Sequence, residues 1–206
     1  MGLTVSIGDY AAMLRECDDV SWYDEQLQLL NEVLLENGKP AHIEPTDVPE
    51  IEYKSCVGFP YSFLHYLRRV YARLKLGKPA KPVGGDDISK EDEADIDKVF
   101  SRGDSHLLYH SDCDGFYVPL DFPRPIEDDR VLGGSIGSTP GLLRELVEIA
   151  PLIDVVVVGD SPTDEALSEL DAFDESHPYH IERVTWYCLY ENCVLSLKHK
   201  CVISFG

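Results

Sequence analysis

Positive charge is what this sequence has least of. Its 206 residues carry 18 Lys and Arg against 38 Asp and Glu, a formal net charge of 18 − 38 = −20. A general nucleic-acid binder gains affinity by setting Lys and Arg on phosphates and releasing counterions, so this composition argues against that class. It equally disfavours a protein that lies on anionic lipid. Long apolar runs are missing too: nothing approaches the ~18 residues a membrane-spanning helix needs, and the best run, near Ile153–Val158, is broken at once by Asp154. Residues Met1–Tyr10 have no basic segment followed by an apolar one, so no secretory leader is expected. Cys17, Cys56, Cys113, Cys188, Cys193 and Cys201 include no C-x-x-C pair. The expectation is a cytoplasmic protein with reduced thiols that act mostly as small buried hydrophobes.

What is present is enough for a core. The chain is 44% hydrophobic and 10% aromatic, which excludes global disorder and fits one domain over 1–206. Tyr10, Met13, Leu14 and Cys17 recur at helical spacing after Asp9. Tyr23, Leu27, Leu30 and Leu34 do so from about Ser21 to Asn37, before Gly38 and Pro40. Phe63, Leu67, Val70 and Leu74 make a third stripe, opened at Pro60–Ser62 and closed by Gly77. From about 77 to 98 the composition breaks, first to Lys, Pro and Gly and then to a run of acids, and it reads as a mobile loop.

Downstream, His106–His110 and Gly115–Phe122 read as short strands, and Val155–Val158 as a buried one. Thr139 before Pro140 predicts an N-cap for a helix running to Ala150, and Ser161–Asp164 has capping-box spacing for another. Residues 181–198 fit a buried helix on Trp186, Leu189, Tyr190, Cys193 and Leu197, or a hairpin through Tyr187 and Val194. Lys200–Phe205 fits a terminal strand. Helices first and mixed elements later predict an α+β fold, with amphipathic helices on a small mixed or antiparallel sheet.

Three groups of residues could carry chemistry. His110, Asp112, Cys113 and Asp114 lie within five positions and could offer ligands to a divalent metal ion. His106 on the same strand face would stand about 13 Å from His110 and could not share the ion. The other reading of 110–114 is a turn whose carboxylates cap backbone amides. Gly134, Ser135, Gly137, Ser138 and Thr139 lead into a helix N-terminus and could present amides to an anion, helped by Arg69 and Arg73. The Gly-Lys-Ser/Thr ending of a phosphate-binding P-loop is absent, as is a G-x-S-x-G elbow. Arg68, Arg69, Arg73, Lys75, Lys78 and Lys81 form an acid-free basic cluster, which could bind an anion or simply pair with the acidic run that follows.

Asp112-Cys113-Asp114-Gly115, with Val155–Val158 and Gly159-Asp160-Ser161-Pro162-Thr163-Asp164 downstream, resembles the paired motifs of haloacid-dehalogenase-type phosphatases. That resemblance implies a carboxylate nucleophile and a magnesium ion shared with Asp160 or Asp164. The sequence departs from the pattern in having Phe116 after the glycine, polar residues before Asp112, and only about 45 residues between the motifs. Over most of its length the chain also resembles a set of small uncharacterised bacterial proteins. The similarity is carried by Gly58–Arg69, by His110–Pro119, and by Gly137-Ser138 ahead of Leu142–Leu146. It implies a bacterial, cytosolic protein with no known activity.

The sequence therefore predicts a non-catalytic binding protein without a cofactor, of the kind that inhibits a basic partner protein as an immunity factor inhibits a toxin or nuclease. Its −20 charge would speed association with such a partner. The alternative is a metal-dependent, phosphatase-like hydrolase built on His110–Asp114.

Overall fold

A computed structural model describes residues 2–17, 19–84 and 87–206. The chain runs β1 (Gly2–Ile7), α1 (Asp9–Glu16), α2 (Ser21–Glu36), β2 (Gly58–Pro60), α3 (Tyr61–Lys75), α4 (Lys90–Phe100) and α5 (His106–Tyr109). It continues through β3 (Gly115–Val118), β4 (Ile126–Glu127), β5 (Ser135–Ser138) and α6 (Thr139–Ile149). The last elements are β6 (Val157–Val158), β7 (Ser161–Pro162), α7 (Asp164–Asp171), α8 (His180–His199) and β8 (Ile203–Phe205). Six strands form one sheet in the order β2-β1-β8-β3-β5-β4, and β6 and β7 form a separate ribbon. The sheet is mixed, because β3 pairs parallel with β5 and the other pairings are antiparallel. The fold is α+β.

Alternation along the strands sends side chains to two cores. Phe116 and Val118 face α2, packing with Tyr23, Leu30, Val33, Leu34 and Val202. Tyr117 points the other way, into a larger cluster with Leu3, Val5, Leu67, Leu146, Trp186 and Phe205. Helices α3, α6 and α8 cover that second face and pack on one another.

Helix α8 is buried along nearly its whole length. Residues 180–199 contain no Gly or Pro to turn a hairpin, so the helical alternative for 181–198 is the one formed. Trp186 Nε1 donates to the Leu146 carbonyl at 2.7 Å, and Ser196 Oγ to that of Cys201 at 2.6 Å, while the buried Asn192 Oδ1 has no partner among the described residues. Lys200, in the left-handed region at φ 60°, ends the helix.

Several local expectations are corrected. His106–Tyr109 is a helix, not a strand, because Ser105 Oγ caps the Leu108 amide and the buried Glu145 carboxylate accepts the amides of His106 and Leu107. The strand from Gly115 stops at Val118, before Pro119. Val155 is buried, but Val156 and Val158 are exposed, since β6 turns back into β7 at Gly159 and Asp160 and never joins the main sheet. Ser138 caps α6 in place of Thr139, and Thr163 caps α7 in place of Ser161. Lys90–Phe100, which begins inside the 77–98 segment expected to be a loop, is a helix opened by a reciprocal capping box between Ser89 and Asp92. Gly85 and Asp86 of the 77–98 segment lie outside the described residues.

Candidate functional site

The basic cluster of α3 and the segment after it is largely taken up by carboxylates. Arg73 Nε donates to Asp92 at 2.6 Å and lies within 4 Å of Asp95 and Glu91. Lys78 Nζ bonds Asp95 at 2.7 Å and Glu91 at 3.1 Å. Arg69 is buried against Glu182 and also donates to the Lys81 carbonyl. Lys75 pairs with Glu148, and Arg68 with Asp112. The acidic run on α4 is therefore an internal counterion for α3. The cavity that Arg69 and Arg73 line is walled by Lys81, Val83, Ser89 and Asp92.

The glycine-rich segment proposed for anions is a strand. Ser135–Ser138 is buried in β5 between β3 and β4. Gly137 is there for packing: a Cβ at that position would lie 2.1 Å from Cδ1 of Tyr117. The Ser138 amide donates to His106 Nδ1 at 3.1 Å, and Ser138 Oγ donates to the Leu120 carbonyl while accepting the Gly141 amide. Thr139 is buried and shares a hydroxyl contact with Ser196. Gly134, at φ 72°, ends the preceding turn.

The 110–114 segment splits in two. The His110 ring is buried, stacked on Tyr117 at 4.2 Å between centroids and packed on Phe205, and burial holds its pKa down to about 4. Asp112 turns outward to Arg68 and to His65 at 3.3 Å. Although burial opposes it, the His65 and Arg68 contacts hold the Asp112 carboxyl down at about 2. Cys113 is exposed, and Asp114 accepts from Ser111 Oγ at 3.0 Å. Asp160 sits in the β6–β7 turn and Asp164 opens α7. The ribbon is separate from the sheet that holds β3, so these carboxylates do not stand at a neighbouring strand end as the phosphatase pattern requires. Among the described residues, no three His, Cys, Asp or Glu side chains come together as a metal site.

The distinctive surface lies elsewhere. Between Arg144 and Arg183 the sequence has no Lys or Arg across residues 145–182, yet it holds eleven Asp and Glu. That is −11 of the net −20, leaving −20 + 11 = −9 for the rest of the chain. Nine of the eleven are exposed: Glu148, Asp154, Asp160, Asp164, Glu165, Glu169, Asp171, Asp174 and Glu175. Glu148 is matched by Lys75, Glu169 lies 3.3 Å from Arg183, and Asp154 lies 3.7 Å from His177. Among the described residues no ion pair reaches Asp160, Asp164, Glu165, Asp171, Asp174 or Glu175.

Helix α7 builds the centre of this face. Ala166 and Leu170 are buried, and Leu167 packs against the main core. At 100° per residue those three occupy one side, which leaves Asp164, Glu165, Glu169 and Asp171 on the other. Four charges on eight residues, at 1.5 Å rise, give about one per 3 Å of axis. A DNA strand carries one phosphate per ~3.4 Å. Helix α2 also shows exposed acids at Asp24, Glu25, Glu32 and Glu36, but over sixteen residues these are about 6 Å apart per charge. Two acids on each helix are engaged: Glu36 by Arg130 and Asp24 by the Tyr10 hydroxyl on α2, Glu169 by Arg183 and Asp171 by the Tyr187 hydroxyl on α7.

The acidic face has one aromatic in it. Phe173, just past α7, holds a left-handed φ of 47° and is 41% exposed. It borders a cavity of about 380 Å³ shared with Glu169, Leu170, Asp174, Glu175 and Arg183. A left-handed aromatic is costly backbone, kept where something else requires the side chain. Sequence reading overlooked this surface because it followed local acid runs. The absence of any cation from 145 to 182 was the signal that could have found it.

Fold and surface together define a class: an α+β protein whose charge is neutralised on one side and left uncompensated on another, as in proteins that bind through their electrostatic field. A family model described as "Putative DNA-mimic protein" matches residues 1–205, and the chain belongs to that family. Membership implies a non-catalytic, protein-binding role in which the chain stands in for DNA on a basic partner. Neither a search of curated proteins nor one of solved structures found a match. Among the described residues no helix is long and apolar enough to cross a membrane.

Proposed function

We propose that the protein occupies the DNA-contacting surface of a basic DNA-binding protein through its 154–175 face, and inhibits that protein by excluding DNA. The observation that carries this reading is the spacing of exposed carboxylates on α7, close to that of phosphates along one DNA strand; of the four, Glu169 alone has an ion pair among the described residues, to Arg183. A groove lined with Lys and Arg for phosphates meets the same density of negative charge here, so association is fast and weakens steeply with salt. Phe173 and the exposed Val156 and Val158 add apolar contact that DNA lacks, which favours one partner over a generic polycation. A nuclease held in this way cannot reach its substrate, which is the immunity-type role.

The test is competition. Immobilised protein is exposed to nuclease-treated lysate, washed, and eluted with a short duplex; what elutes is then assayed for DNA binding with labelled duplex. The expected result is a DNA-binding protein released by duplex, lost from a column bearing the Asp164→Asn, Glu165→Gln, Glu169→Gln variant. Retention that duplex does not displace, or that the variant preserves, counts against the reading.

A further inference from the structure

The approach to β2 is a strap, Lys54–Val57, laid along α8. Two α8 side chains three residues apart, and so on one face of the helix, fasten it. The Glu191 carboxylate accepts the amides of Lys54 and Ser55, each at 2.8 Å. Cys188 directs its thiol to the Cys56 carbonyl, 3.0 Å away. The far end of the strap is tied to the sheet, where the Val5 amide donates to the Val57 carbonyl at 3.0 Å. Two cysteines separated by 132 positions in sequence are thus in contact, the sulfur of one against the backbone of the other. Cys56 is half-buried and Cys188 buried, so Cys56 is the more accessible residue of the two. Each thiol is the strongest influence on its neighbour: the contact draws Cys56 down to about 7, although burial opposes this, and pushes Cys188 far up. The remaining cysteines differ. Cys17 and Cys113 are exposed, while burial raises both Cys193 and Cys201.

We infer that Cys56 and Cys188 are an oxidisable pair that takes a peroxide and closes to a disulfide pinning the strap to α8. The Cys56 thiolate attacks one peroxide oxygen; the O–O bond breaks, an S–O bond forms, and the departing hydroxide takes a proton to become water. The Cys188 sulfur then attacks the Cys56 sulfenic acid, the S–O bond breaks as the S–S bond forms, and the released hydroxide collects the Cys188 proton. Two thiols and one hydrogen peroxide give one disulfide and two waters, with both sulfurs oxidised and the peroxide reduced. Cys56 fits the first role because it is the more accessible and more acidic of the two, and Cys188 the resolving role.

The full chain carrying Cys17→Ser and Cys113→Ser, and the unsubstituted chain beside it, are reduced, exchanged to neutral pH and treated with hydrogen peroxide. Free thiols are then alkylated under denaturing conditions and the digest mapped by mass spectrometry. The expected result is loss of two alkylatable thiols and a peptide linking residues 56 and 188, reversed by dithiothreitol. In Cys188→Ser the link disappears and Cys56 becomes trappable by dimedone as its sulfenic acid. The inference is overturned if both thiols stay alkylatable, if Cys56 proceeds to sulfinic acid with Cys188 intact, or if the disulfide formed joins other cysteines.

Discussion

Helices α4 and α7 are both acidic in sequence and do opposite things with their charge. On α4, Glu91, Asp92 and Asp95 meet Arg73 and Lys78 of the α3 region, and Asp92 also closes the cap with Ser89. On α7, among the described residues, only Glu169 meets a cation, Arg183; Asp164 and Glu165 gain only the helix dipole, and Asp171 sits in the last turn, where that dipole is unfavourable to an acid and no cation offsets it. Asp171 has just the Tyr187 hydroxyl, at 2.6 Å. Net charge is therefore a poor guide to a binding face. What matters is where the counterions are missing.

Arg69→Met strands Glu182, both side chains being 2% exposed, and should cost about 3–5 kcal/mol in urea unfolding. Arg69→Met combined with Glu182→Leu should recover most of that loss. If the single variant is as stable as wild type, the neutralised side is not structural.

Acidification probes the core between the two regions. Burial lowers His106 and His110 to about 4, and raises Glu145 to about 7. The histidines bind fewer protons folded than unfolded, so their stabilisation is present above ~6.5 and is lost as pH falls toward 4. Glu145 works in the opposite sense: its stabilisation is full below ~4.5 and is lost as pH rises through 7. Two groups outweigh one. Stability should therefore fall by about 2–3 kcal/mol from pH 6.5 to 4.5, read from urea midpoints at a series of pH values.

At the uncompensated end the effects on folding are small. Asp164→Asn, Glu165→Gln, Glu169→Gln should leave stability within about 0.5 kcal/mol while abolishing the duplex-displaceable binding. A large loss of stability would mean α7 is charged for the fold's sake. Smallest of all is the response to salt. Screening relieves repulsion among the 154–175 carboxylates, so the melting temperature should rise slightly with added NaCl, and the rise should shrink in the triple variant.

Helices α1, α2 and α3 were legible because their apolar residues recur on one face, and Gly38 and Gly77 mark where the second and third stop. Strand β5 was not: Ser-Ile-Gly-Ser has one large apolar side chain, and it is a strand because β3 lies beside it and Tyr117 needs the room at Gly137. His106–Tyr109 was misread since a four-residue helix has no periodicity to show, and its amides depend on Glu145, far along the chain. The pairing of α3 with α4 was foreseeable from opposite charge runs. The bare face of α7 could be seen only by asking where cations are absent over a long span, and its geometry only from the helix that displays it.

Strand β8 lies between β1 and β3, and those two have no ladder with each other. The sheet thus stays in two halves until the ribosome has delivered residue 205. Helix α8, which seals the larger core, arrives only just before it. Folding of this chain is accordingly a long-range event, and a nascent chain stalled short of β8 would expose the inner edges of both halves to any neighbour that can pair with them.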